Sequence, residues 1–348
     1  MEEIRVNRLP LLTYRYLHTN DTPMQFEAPE KSGEPVFSDI IYVKEGGELP
    51  EDFNGASKET VKAAADGRRY TITVPAHAET SLTITLKADE AHPDFAGQFV
   101  FYLGEEAKLS LVWRIEGEAP SDTCLIAAYY DLKEGANLSV SRMEKGLTHA
   151  TIYDQRHTHL ARKAKAVFLA AELGGQNVIV HSYGKLEGDK STMQEKAVYA
   201  ARGDQHLDFF CHIDHIGKKT NAEIDIKGAL ADTAKKIFRG TLNFKKGCSG
   251  SVGDEGDYAI QLDPHTKNIS LPLLLCTEDD VVGNPASSAG QLDANTIYFL
   301  MTRGFSLEEA RRIVVEALIR PIIDSMDSSL HDEVIEEVRR KLDSKEIK

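Results

Sequence analysis

Between residues 70 and 275 the chain repeats one pattern, a turn of small or polar residues followed by apolar residues on alternate positions. Copies run at 77–86, 103–112, 132–140, 173–180 and 201–210, with a weaker one at 231–238. The first apolar residues after the turns are Leu82, Leu109, Leu138, Val178, Leu207 and Ile237. Four of the five intervals between them agree closely, and the long one, from Leu138 to Val178, has room for an insertion around residues 156–162. Alternation with period two is the mark of a strand, and a recurring step of this size is that of stacked rungs. A β-sandwich is the alternative, but its turns come about every 8 to 12 residues. The reading is therefore a mainly β chain with a β-solenoid core. Only 7% of residues are aromatic, with one tryptophan, Trp113, which suits a core of small aliphatic ladders.

The flanks obey different rules. Asp293 is a good N-cap for a helix over 294–303, and Gly304 stands where a helix C-terminus favours glycine. Ser306 and Glu309 have capping-box spacing ahead of a helix over 307–319, whose apolar stripe reads Ala310, Ile313, Val314, Ala317 and Leu318. Pro321 should end or kink that helix. A last amphipathic segment over 330–342 sets Val334, Ile335, Val338 and Leu342 on one side. At the other end, 57–65 reads as a helix, and 10–17 fits a strand or a short helix equally. The expected organisation is a mixed segment over 1–68, a solenoid over 69–290 and a small helical domain over 291–348. The stretch DVVGNPASSAGQLD at 280–293 reads as a loop of small residues, either a tight turn or a place where backbones crowd at an interface.

Charge and composition exclude several functions. A net charge of -14 opposes nucleic acid or an anionic membrane as partner. No run approaches the roughly 18 apolar residues of a membrane span. The amino terminus lacks the apolar core of a signal peptide, so a cytoplasmic location is expected. Cys124, Cys211, Cys248 and Cys276 form no Cys-x-x-Cys pair and hence no local zinc or iron-sulfur motif.

The run LPLLLCTEDDVVGNPASSAGQLD at 271–293, followed by IYFLMTRGFSLEEARR at 297–312, resembles the signature of the SufB/SufD family of iron-sulfur cluster assembly proteins. Residues 215–228, 238–247 and 7–17 resemble other family segments. The resemblance implies a right-handed parallel β-helix flanked by helices. It also implies a dimer, homomeric or with a homologous subunit, and a soluble ABC-type (SufC-like) ATPase bound through the C-terminal helices, chiefly around Arg303, Phe305, Glu308 and Arg312. The chain has no G-x-x-x-x-G-K-[ST], so it should bind no nucleotide itself. Many family members carry a histidine where this chain has Pro285, and a scaffold cysteine near Tyr258 where it has none. A proline offers no lone pair to a metal.

The residues left to hold a transient iron-sulfur cluster are Cys276 and Cys248, close to one repeat apart in sequence. If they occupy one column of the solenoid they lie about 5 Å apart. Glu278, Asp279 and Asp280 add hard oxygen donors beside Cys276 for ferrous iron, against the plainer reading of a solvated turn. Free cysteines mostly pack, and Cys124 and Cys211 read that way. By parity His206 and His212 share a strand face and His215 takes the other; His157 and His159 share one too. The expected function is a non-catalytic scaffold subunit in cluster assembly. The alternatives are a purely structural or regulatory partner of the ATPase, or a carbohydrate-active solenoid enzyme using Asp254, Glu255 and Asp257. Removing everything after Asp293 should abolish co-purification with the ATPase while leaving the solenoid soluble.

Overall fold

A computed structural model describes residues 2–12, 15–30, 32–117 and 123–343. It is 52% strand and 16% helix, with a β-solenoid of about 8 turns. Four short strands, β1 (Glu2–Val6), β2 (Thr22–Phe26), β3 (Val36–Phe37) and β4 (Val43–Glu45), and helix α1 (Lys58–Asp66) come first. The rungs follow as pairs: β5 and β6 (Arg68–Val74, Glu79–Ala88), β7 and β8 (Phe95–Leu103, Lys108–Gly117), β9 and β10 (Thr123–Leu132, Asn137–Gly146), β11 and β12 (Thr151–Leu160, Lys165–Glu172). The remaining pairs are β13 and β14 (Asn177–Leu186, Thr192–Ala201), β15 and β16 (His206–His215, Asn221–Leu230), β17 and β18 (Lys235–Phe244, Ser251–Gln261), β19 and β20 (Lys267–Cys276, Val281–Gly290). Helices α2 (Ala294–Thr302), α3 (Leu307–Ile323) and α4 (His331–Leu342) close the described chain.

Odd-numbered strands stack into one nine-stranded sheet ending in β4, even-numbered strands into another ending in β3. All rung-to-rung pairings are parallel, whereas β3 on β6 and β4 on β5 are antiparallel. The register corrects one expectation. Leu138 pairs with Leu109 in the even sheet, but Val178 and Leu207 pair in the odd sheet. The long interval between Leu138 and Val178 is thus a change of sheet and not an insertion, and residues 156–160 lie in the regular strand β11. The first marker is off by two, because Leu82 faces Leu111 and not Leu109, and the last is off by one, because Leu207 faces Lys236 and not Ile237. A buried lysine occupies the inward position there, which a search for apolar residues passes over.

Inward side chains form one continuous core, with aromatic contacts at its first rungs: Phe99 stacks on Tyr70 and meets Trp113 edge-on. Each sheet has its outer face covered. On the even sheet, Met143, Leu169, Val198 and Ala229 pack against Val315, Ile319, Ile322, Val334 and Val338 of α3 and α4. The buried stripe of α3 is therefore Ala310, Val315, Ile319, Ile322 and Ile323, a face rotated from the expected one, with Ala317 exposed. The helix also runs two residues past Pro321, where burial of Ile322 and Ile323 outweighs the one lost backbone bond. Because α3 and α4 complete a core, deletion after Asp293 would bare this apolar face. Solubility of such a fragment is not expected.

Local signals at both ends fared better. Asp293 caps α2 by accepting from Thr296 N–H at 2.8 Å, and Ser306 with Glu309 forms the capping box of α3. Gly304 adopts φ +98°. Ser57 caps α1. In the run 10–17, Arg15–Leu17 form a 3-10 turn, Leu11 and Leu12 are exposed, and residues 13 and 14 lie outside the described residues, as do 344–348.

Candidate functional site: the open end and the charged interior

The two ends of the solenoid differ. The first rung is closed by β3 and β4, but among the described residues β19 and β20 have no strand beyond them, so each presents a row of backbone groups without a strand partner. The small-residue stretch expected as a loop is in fact the edge strand β20. Pro285 sits on it directly beside Glu255 of β18, and an edge strand is where a sheet tolerates proline. Parity points Gly283, Pro285 and Ser287 inward as the last layer over the interior. A Cβ on Gly283 would come within 2.7 Å of the end of the Leu274 side chain, which would have to turn aside toward solvent.

Beneath that layer the interior is charged. Asp257 pairs with Lys236, both fully enclosed. Glu255, 2% exposed, has no hydrogen-bond partner on either oxygen, and its carboxyl occupies the space where a side chain on Gly240 would stand. Burial first and the Asp257 charge second push its pKa up to about 8. Further in, Arg142 contacts Glu172, Glu144 and Asp154 at 2.8, 3.1 and 3.3 Å. Arg156 lies 3.4 Å from both Asp154 and Glu195. The three cations Arg142, Arg156 and Lys236 thus face six buried carboxylates: Glu144, Asp154, Glu172, Glu195, Glu255 and Asp257. Such an excess is stable only if some acids keep their protons. Burial raises Glu144 and Glu195 accordingly. The carboxylates considered for sugar chemistry therefore form no cleft. Glu255 and Asp257 point inward, while Asp254 is exposed and accepts from Asn284 at 2.8 Å.

The cysteines are placed as follows. Cys124 and Cys211 are packed in the core, with the Cys124 thiol pushed up to about 12 by burial. Cys276 ends β19 and is exposed; its thiol donates to the Glu278 carbonyl at 2.9 Å. Its register partner is Phe244, and not Cys248. The step from β17 to β19 is 32 residues, since Lys235 pairs with Lys267, whereas the cysteines are 28 apart, so Cys248 falls in the turn after β17 and outside the column. Cys248 is enclosed, and its thiol is raised chiefly by burial and further by Glu278 and Cys276. Glu278 accepts from Gly247 N–H at 2.7 Å and Asp280 from the Ser249 hydroxyl at 2.6 Å, so both bind the turn below them. Asp279 is exposed on that turn. Among the described residues no three His, Cys, Asp or Glu side chains gather as a ready metal-ligand set.

The helical elements after β20 leave Tyr298, Phe299, Met301, Phe305 and Leu307 between 41 and 71% exposed. Arg303 lies over the Phe299 ring at 4.9 Å. Glu308 is exposed, while Arg312 is held by Asp343 at 3.0 Å.

The outer face of the odd sheet carries the histidines. His157 and His159 share it, as do His206 and His212, and His215 points inward onto Phe244, as parity implied. His159 bridges Asp131 and Glu187 at 3.1 and 2.9 Å, and His212 pairs with Asp214 at 2.9 Å. His157 accepts from Asn54 N–H at 3.1 Å, and His181 meets the side chains of Asn7 and Asn54 at 2.9 and 3.3 Å. These contacts belong to a clasp that sequence reasoning missed. Arg239, fully buried on this face, pairs with Asp208 at 2.5 Å and donates to Thr19 carbonyl and Thr22 hydroxyl at 2.8 and 2.9 Å. Asn7 donates to Asp208 at 2.9 Å. The first strands are thereby fastened across the sheet.

Comparison with known proteins fits this architecture. The model of the SUF system FeS cluster assembly SufBD core domain matches residues 84–318, about two thirds of the chain. The iron-sulfur cluster assembly protein SufD of Bacillus subtilis is 27% identical over 205 residues, covering 59% of this chain and 46% of that protein. SufD of Escherichia coli is 19% identical over 218 residues, covering 62% and 52%. An iron-sulfur cluster assembly SufBD family protein of Mycobacterium leprae is 25% identical over 178 residues, covering 49% and 45%. The chain spans about half the length of these curated relatives. With its solenoid and the core-domain match coinciding over most of its length, the chain belongs to the SufBD family of iron-sulfur cluster assembly proteins.

Proposed function

We propose that the chain is a non-catalytic scaffold subunit of a SUF-type assembly complex, working with a soluble ABC-type ATPase and handling the cluster as transient cargo. The observation that carries this reading is its family membership over residues 84–318. Two features support it. The exposed aromatic and aliphatic side chains around Tyr298 and Phe305, flanked by Arg303 and Glu308, have the composition of a docking surface. The unpaired last rung offers a second surface, on which a copy of this chain or a homologous subunit would pair. Cys276, exposed at that rung with Cys248 nearby, would supply thiolate to a cluster, assisted by Glu278 or Asp279 on the adjoining turn. No helix among the described residues is long and apolar enough to cross a membrane.

The second reading, a structural partner that leaves metal chemistry to another subunit, draws on Pro285 and on the missing ready-made ligand set. Anaerobic reconstitution with ferrous iron and sulfide separates the two. Visible absorption that develops in the parent and falls in Cys276→Ser supports the scaffold. Equal loading of parent, Cys276→Ser and Cys248→Ser would remove the cysteines from the proposal. A parent that binds the ATPase but takes up no cluster would establish the structural reading.

A further inference from the structure

Lysines stack along one corner of the solenoid of this acidic chain. There, every turn from the odd to the even sheet except the last has a residue in the left-handed region, beginning with His77 and Glu106. Gly135, Lys163, Lys190, Lys219 and Gly250 occupy that place in successive rungs, with φ between +56° and +75°. The backbone N–H of Lys163 donates to Asp189 carbonyl at 3.0 Å, that of Lys190 to Lys218 at 2.8 Å and that of Lys219 to Ser249 at 3.0 Å. These bonds stack the three lysines in one column at the spacing of neighbouring strands, about 4.8 Å.

Exposed Lys218 and Lys246 stand beside the column. Among the described residues, none of these five ammonium groups has an ion pair or a hydrogen bond, although the Lys218 backbone N–H donates to Asp189 Oδ1 at 2.8 Å. The fold gives no reason for them. Glycine serves the same conformation in the rungs on either side and avoids the strain that a Cβ brings, while Glu106 and His77 take it in the first two rungs, so the conformation does not itself call for lysine. Stacked like charges repel, and the chain has carboxylates in excess that could have neutralised them, with a net charge of -14.

The geometry points to a docking strip for an acidic helix of a partner protein, read by the stacked lysines Lys163, Lys190 and Lys219. Carboxylates three and four residues apart on a helix are about 5–6 Å apart, close to the rung spacing. Nucleic acid fits less well, because a long polyanion would meet the field of the whole acidic chain, whereas a short helix engages the strip alone. The proposal is independent of the cluster-assembly role.

The test uses the full chain and a fluorescent, helix-forming peptide with glutamates at i, i+4 spacing, followed by anisotropy at low salt. The parent should bind, and added salt should weaken it. The triple variant Lys163→Gly, Lys190→Gly, Lys219→Gly should bind at least about tenfold more weakly while melting no lower than the parent, since glycine suits φ > 0. Substituting Lys58 and Lys62 on α1 by Gln should change nothing. No binding by the parent, or equal binding by the glycine variant, would overturn the proposal. Tighter binding of a DNA oligonucleotide or of phosphatidylserine vesicles than of the peptide would overturn the choice of partner.

Discussion

Replacing Glu255 by Gln should remove a pH dependence that the parent carries into the neutral range. In the folded chain this carboxyl titrates near 8, against an ordinary value of 4.5. Between those values the folded state holds a proton that the unfolded state has released. The contribution to stability is therefore full below about pH 4.5 and is lost as pH rises through 8. The difference of 3.5, at 1.36 kcal/mol for each pKa unit, corresponds to roughly 5 kcal/mol over the whole window, an upper bound because relaxation and water entry reduce it. From about pH 5.5 to 8 the share is about 3 kcal/mol. Gln keeps the shape, cannot ionise, and has an amide that can donate to the unpartnered oxygen of Asp257. Urea unfolding at about pH 5.5, 7 and 8.5, followed by fluorescence of the buried Trp113, should show the parent weakening with pH and Glu255→Gln weakening by clearly less. Parallel slopes would mean that the carboxyl is already ionised at neutral pH, and the account of a proton-retaining interior would fall.

Arg239→Leu should destabilise by about 3–5 kcal/mol, because it strands Asp208 in a buried site; protease release of strands β1 and β2 before global melting would locate the damage at the clasp. On the acid side, His181 and His157 are lowered by burial to about 3 and about 4, so the stability they contribute is present above pH 6.5 and lost as pH falls toward those values. Hydrogen exchange should accordingly show residues 4–8 and 54–57 loosening near about pH 5 before the rungs do, and His181→Gln should shift that onset to lower pH. Phe305→Ala with Tyr298→Ala should leave the melting temperature within about 2 °C while weakening ATPase binding at least about tenfold, and unchanged affinity would exclude this surface.

What was legible in the sequence follows from the range of each interaction. Rungs are local: inward residues alternate along each strand, so the regular step from one rung to the next is readable, and so are helix caps built from residues three apart, such as Ser306 with Glu309. The change of sheet at Val178 was not readable, since both sheets alternate in the same way and the sequence does not label which strand belongs to which. Lys236, Glu255 and Asp257 were missed as interior groups because a charge at a strand position reads as a solvent-facing one. Only the pairing across rungs shows that it lies inside. The clasp of Asn7, Asp208 and Arg239 joins residues from distant parts of the chain and has no local pattern at all. The cysteine column failed for a smaller reason: the step from β17 to β19 is 32 residues, against 29 for the two before it, and the cysteines are 28 apart.

The difference between the two ends has a consequence for how such rods can join. A solenoid with two bare ends could add copies without limit, as a filament does. Here β3 and β4, short and antiparallel, blunt one end of the two stacked sheets, and among the described residues only β19 and β20 remain able to extend them. When two chains meet through that end, each uses the one edge it has, and nothing is left for a third. The polarity of the rod thus sets a ceiling of two on assembly through the last rung and turns a surface prone to polymerise into one that closes on itself.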